Sequence, residues 1–130
     1  MEIKTDARKY REVDQHIIWQ MRFPSGVLAM CSASYEAAGI SRLFVEAEYG
    51  WFALENAFWP GGLTIQGRRS DGKSISLPNI DQMAAQMDDF SRCIIENKNS
   101  RVAGEEGLRD VRIMQSIYES SATGCAVTVA

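Results

Sequence analysis

Hydrophobic and polar positions alternate along residues 1–77, whereas apolar positions recur at steps of three and four along residues 79–121. Alternation places successive side chains on opposite faces of a β-strand, and steps of three and four place them on one face of an α-helix. Short links between the predicted strands favour antiparallel pairing. We therefore predict an α+β fold, with an open, mainly antiparallel sheet of five or six strands and two helices packed on one face.

The first predicted hairpin spans residues 12–36. Its first strand places large apolar side chains on one face, at Val13, Ile17, Trp19, Met21 and Phe23. Pro24 suits the second position of a type I turn, and Gly26 can adopt the left-handed conformation that closes a three-residue loop. Counting outward from Phe23 and Val27 then pairs large with small apolar residues. The pairs are Met21 with Ala29, Trp19 with Cys31, and Ile17 with Ala33.

The opposite face of this hairpin is polar but carries a row of apolar side chains at Ile18, Leu28 and Met30. Single exposed apolar residues are ordinary on a protein surface, but a row of them on a broad sheet more often marks a partner surface. Both helices are assigned to the other face, so we predict a subunit interface here, with a two-fold dimer as the default. Its predicted residues are Ile18, Gln20, Leu28 and Met30.

Further strands precede the helices. They are predicted in residues 41–50, in residues 51–58 and in a hairpin within residues 63–77. The segment 59–62, which contains Pro60 and two glycines, breaks the second of these strands. Asp71 and Gly72 mark the hairpin turn. The apolar segment 125–129, CAVTV, is predicted to return to the sheet as its last strand.

The first helix is predicted near residues 79–97, where Asn79 or Asp81 can cap its N-terminus. Its apolar stripe consists of Ile80, Met83, Met87, Phe90 and Ile94. A stripe of methionine and aromatic residues at helical spacing is typical of core, and we interpret it so.

The second helix is predicted near residues 105–121. Glu105 and Glu106 favour the positive end of a helix dipole, and Gly124 suits the left-handed position that ends a helix. Its apolar stripe consists of Leu108, Val111, Met114, Ile117 and Tyr118.

The composition is that of an ordinary globular protein, with 130 residues, 45% of them apolar and 24% charged, and we predict a single domain over residues 1–130. A net charge of −3 with interleaved signs gives no basic surface for nucleic acid. No apolar run approaches the roughly 20 residues that span a bilayer, and the N-terminus lacks the apolar stretch of a signal peptide. We therefore predict a cytoplasmic protein without a nucleic-acid or membrane partner.

No catalytic or metal-binding residue is predicted. The cysteines at positions 31, 93 and 125 are widely spaced and indicate buried thiols. His16 has no second ligand nearby in the sequence, and a general base needs an oriented partner and a substrate pocket, so we favour a structural role. The serine pair 120–121 and the carboxylate pairs 88–89 and 105–106 lack the geometry of an active site.

Two segments of the chain carry a family resemblance. Residues 104–124, GEEGLRDVRIMQSIYESSATG, combine a Gly-Glu-Glu-Gly-Leu helix, a Tyr-Glu-Ser run and Thr-Gly, and residues 12–29 read EVDQHIIWQMRFPSGVLA. The first segment resembles the end of the glucose–fructose oxidoreductase, inositol dehydrogenase and rhizopine-catabolism (Gfo/Idh/MocA) family. The second is similar to the hairpin that opens the second domain of that family. The resemblance covers about residues 10–130.

The resemblance implies an open antiparallel sheet with helices on one face and subunit contacts on the other. Family members are NAD(P)-dependent enzymes that act mainly on sugars and cyclic polyols, and a dinucleotide-binding domain precedes this one. This sequence lacks the Gly-x-Gly-x-x-Gly turn that binds a pyrophosphate. The family's Glu-Lys-Pro segment and its helix bearing Asp and His are missing as well. We therefore predict no catalytic or cofactor-binding residue in this chain, and no activity of the chain alone.

Two functional hypotheses remain. In the first, the chain is the C-terminal domain of an NAD(P)-dependent sugar or polyol oxidoreductase and contributes substrate-pocket wall and subunit contacts. A Rossmann-type domain or partner chain would then bind NAD or NADP. In the alternative, the chain is a free-standing module for oligomerisation or small-molecule binding. The two hypotheses differ in whether another segment or chain supplies the nucleotide site.

Overall fold

The computed structural model describes residues 2–4, 6, 8–59 and 64–129. Within these residues the chain forms seven strands and two helices. They are β1 (Glu2–Lys4), β2 (His16–Arg22), β3 (Leu28–Ser34), β4 (Arg42–Ala47), β5 (Gly50–Glu55), β6 (Gln66–Arg69), β7 (Ser74–Ser76), α1 (Gln82–Ile95) and α2 (Gly104–Thr123). The predicted break at Pro60, Gly61 and Gly62 lies outside the described residues.

The chain divides into two compact units. The first comprises Met1–Ala37 and Val102–Ala130 and holds β1, β2, β3 and α2. The second comprises Ala38–Arg101 and holds β4 to β7 and α1. All the described strand pairs are antiparallel, and the predicted α+β class is confirmed. The assignment of residues 1–130 to one domain stays a prediction.

The first unit contains a three-stranded sheet in the order β1-β2-β3. The predicted register is confirmed by the pairs Ile17 with Ala33, Trp19 with Cys31, and Met21 with Ala29. The loop has the predicted three residues, because the amide of Phe23 donates to the carbonyl of Val27 at 2.9 Å. Gly26 closes it with a φ of 90°, in the left-handed region that a glycine adopts without strain.

The alternation along β2 separates a half-buried face from an exposed one. Trp19 and Met21 are half-buried, whereas Gln20 and Arg22 are exposed. A slip of one residue in the pairing would exchange these two sets. The two faces of the hairpin are therefore those that the sequence predicts.

The ends of α2 are close to those predicted. Glu105 and Glu106 occupy its first turn, and Gly124 ends it with a φ of 68°. One side of the helix is half-buried, at Ile113, Ser116, Ile117, Ser120 and Ser121. Most of the predicted apolar stripe stays about half exposed, at Leu108, Val111, Met114 and Tyr118. Small serine side chains therefore share the covered side of α2 with isoleucines.

The second unit contains a four-stranded sheet in the order β4-β5-β6-β7. The predicted hairpin turn joins β6 to β7, where Gly72 has a φ of 80° and donates its amide to the carbonyl of Arg69 at 3.0 Å. One face of this sheet is apolar and half-buried, at Leu43, Val45, Phe52, Leu54 and Ile75. The loops of the two hairpins, residues 24–26 and residues 70–72, are of the same three-residue type, and each has a glycine in its last position.

Asp81 caps α1, as one of the two predicted candidates, and its carboxylate accepts a hydrogen bond from the amide of Ala84 at 3.0 Å. The apolar stripe of α1 is exposed along its length, and Met87 is 71% exposed. The interpretation of this stripe as core is therefore wrong for the described structure. Helical spacing shows which side chains share a face, but it does not show what lies against that face.

The strands differ from the prediction in number and grouping. Seven strands form two sheets of three and four, where the alternation predicts one sheet of five or six. The sequence pattern misses β1, because three residues are too few for an alternation to show. Residues 125–129 are not a strand. An apolar segment becomes a strand only where a sheet edge offers it backbone partners, and no described strand pairs with this one.

Candidate functional site

The four predicted interface residues share one exposed face of β2 and β3. They are Ile18, Gln20, Leu28 and Met30, and we call them the outer face. Met30 is 82% exposed, Leu28 67% and Ile18 41%. Burial of an apolar side chain of this size is favourable in free energy, and a side chain that faces water does not gain this contribution. The structure therefore brings the predicted residues together and leaves them uncovered.

The register of the hairpin fixes the pattern of the outer face. Gln20 lies opposite Met30, and Ile18 lies opposite Ser32. Leu28 and Met30 are two positions apart on β3, and Ile18 is the diagonal neighbour of Met30. Diagonal neighbours on a sheet are within reach of long side chains. The outer face therefore presents a diagonal apolar row with polar side chains on both sides.

The outer face is suited to contact rather than to catalysis. Its three apolar side chains carry no proton donor or nucleophile. His16 lies half-buried at the start of β2, and its ring makes no hydrogen bond or ion pair with the described residues. A surface that pairs with a copy of itself across a two-fold axis buries each apolar side chain twice, once in each subunit. Burial is favourable by about 25 cal/mol per Å² of apolar surface.

A second exposed face, on the sheet of the second unit, was not predicted as a site. The rings of Phe44 and Trp51 lie 5.7 Å apart there, and Arg42 forms an ion pair with Glu55 at 2.8 Å. Arg42, Phe44 and Trp51 are exposed and alternate with half-buried residues of β4 and β5, whereas Glu55 is itself half-buried. The alternation alone identifies this face, but only the register shows that its aromatic rings are neighbours.

A polar network closes the open end of the first hairpin. Glu36 accepts hydrogen bonds from the ammonium of Lys9 and from the amide of Gln15, the second at 2.7 Å. The bond with Lys9 lowers the pKa of Glu36, and the same bond raises the pKa of Lys9. The rings of Tyr10 and Tyr35 stack beside it at 6.1 Å. All of these charged groups have a partner, so the network is structural.

No metal centre emerges from the described residues: they contain no group of three or more His, Cys, Asp or Glu side chains that could hold an ion. The three thiols are free, and burial raises the pKa of Cys31, which makes its reactive thiolate form scarcer near neutral pH. Neither α1 nor α2 is both long and apolar enough to cross a membrane.

The antiparallel strands and the two helices of the described residues define an α+β fold in which the outer face is exposed. The chain is 31% identical over 116 residues to D-xylose 1-dehydrogenase (NADP(+)) of Haloarcula marismortui, a match that covers 88% of this chain and 32% of the dehydrogenase. Its fold is similar to that of an aldose–aldose oxidoreductase from Caulobacter crescentus, solved in complex with glycerol. The TM-score is 0.82 at 29% identity, over 97% of this chain and 39% of that one.

Both relatives are oxidoreductases of the Gfo/Idh/MocA type, so the predicted resemblance to the C-terminal domain of that family is confirmed. No protein-family model matches the chain. The chain spans about a third of the length of the dehydrogenase that it matches.

Proposed function

We propose that the chain is the C-terminal domain of an NAD(P)-dependent sugar oxidoreductase. The observation that carries this proposal is the joint match in sequence and fold to two sugar oxidoreductases, each over more than four-fifths of this chain. One of these relatives is a dehydrogenase of D-xylose that is named for NADP. In the complete enzyme, the domain contributes part of the substrate-pocket wall and the contacts between subunits.

The cofactor is held by a nucleotide-binding domain, either in the same chain or in a partner chain. Supporting this, the sequence has no Gly-x-Gly-x-x-Gly turn between a strand and a helix, which is the element that lets a backbone approach a pyrophosphate. Hydride transfer needs the cofactor and the sugar positioned against each other. The described chain by itself is therefore not competent for the reaction.

The outer face forms the subunit interface of a homo-oligomer. This assignment is supported by the exposure of Met30 and Leu28, which no described residue covers. A two-fold dimer is the simplest assembly that buries the apolar row in both subunits.

Sedimentation analysis of the chain and of the Met30→Lys variant tests this assembly. The chain should sediment as a dimer at micromolar concentration, and Met30→Lys should sediment as a monomer, because it buries two unpaired ammonium groups in the interface. Ser25→Lys adds the same charge in the exposed hairpin loop and should leave the dimer intact. A monomeric chain at high micromolar concentration, or a Met30→Lys variant that stays dimeric, contradicts the proposed interface.

A further inference from the structure

We draw no further inference here: the strongest candidate, the exposed apolar stripe along α1 formed by Met83, Met87, Phe90 and Ile94, carries none, because nothing in the described part of the chain shows what covers it.

Discussion

Gly26 and Gly72 occupy the same position in the two hairpin loops, with φ values of 90° and 80°. In both loops a turn reverses the direction of the chain. The glycine that follows the turn adopts the left-handed conformation, which brings the second strand into pairing with the first. An L-residue in this conformation brings its Cβ close to a carbonyl oxygen. The local backbone conformation therefore requires these two glycines, because a Cβ at either one would meet no atom within 4 Å from any residue beyond its two chain neighbours.

Replacement of Gly26 by Ala should destabilise the chain by about 1–2 kcal/mol, which is the cost of a left-handed conformation for a residue with a Cβ. The measurement is the free energy of unfolding from urea denaturation.

Gly107→Ala is the control for this prediction. Gly107 lies within α2, has no neighbouring atom that a Cβ would meet, and does not have a positive φ. Alanine has the higher helix propensity, so this variant should gain about 1 kcal/mol. A Gly26→Ala variant that is as stable as the original chain would show that the loop adopts another conformation.

At the scale of elements, a long-range hydrogen bond joins α2 to Asp14, two residues before β2 begins. The hydroxyl of Tyr118 donates to the carboxylate of Asp14, although 104 positions separate the two residues in the sequence. This bond raises the pKa of Tyr118, since the neighbouring carboxylate disfavours a phenolate.

Tyr118→Phe should lower the free energy of unfolding by about 0.5–1 kcal/mol at neutral pH, a modest value because the pair is exposed. The folded pKa of Tyr118 lies above the unfolded value. The contribution of the bond is therefore complete below the ordinary tyrosine pKa of about 10 and is lost as the pH rises through the raised pKa. Urea denaturation at pH 7 and at alkaline pH should show the difference between the two proteins diminishing.

Tyr49→Phe is the matched control, because Tyr49 is highly exposed and its hydroxyl makes no hydrogen bond with the described residues. It should leave the stability unchanged at neutral pH. An equal loss in both phenylalanine variants would contradict a specific role for the bond to Asp14.

At the scale of the whole molecule, the described residues present exposed apolar surfaces, and the sequence has no Gly-x-Gly-x-x-Gly turn of a nucleotide site. The outer face is uncovered, and the stripe along α1 is exposed as well. The match covers 32% of the dehydrogenase and 39% of the aldose–aldose oxidoreductase. On the proposed function, the chemistry belongs to a nucleotide-binding domain, and this chain supplies pocket wall and subunit contacts.

Isothermal titration calorimetry of the chain with NAD and NADP should accordingly show no saturable binding. Hydride transfer depends on a bound cofactor, so the chain alone should also oxidise no sugar. The Haloarcula D-xylose dehydrogenase, whose name specifies NADP, is a suitable positive control for the titration. Saturable binding in the micromolar range would mean that the chain contains a nucleotide site that its motifs do not reveal.

Local patterns allow a large part of the elements to be predicted. The pairing of Trp19 with Cys31 follows from the alternation and the loop length. The alternation excludes a slip of one residue, which would exchange the two faces, and the three-residue loop selects one of the registers that remain. The cap at Asp81 and the end of α2 at Gly124 follow from the local chemistry of helix termini.

The sequence by itself determined the faces of the first hairpin, the α+β class and the four residues of the outer face, because each depends on neighbours within a few positions. Only the tertiary structure decided that the strands form two sheets, that residues 125–129 form no strand, and that the stripe of α1 is exposed. It also decided that Arg68 lies opposite Ala53 and Ser74 in the second sheet. These features depend on which edges and faces distant segments reach, and the period of a segment carries no information about its distant partner.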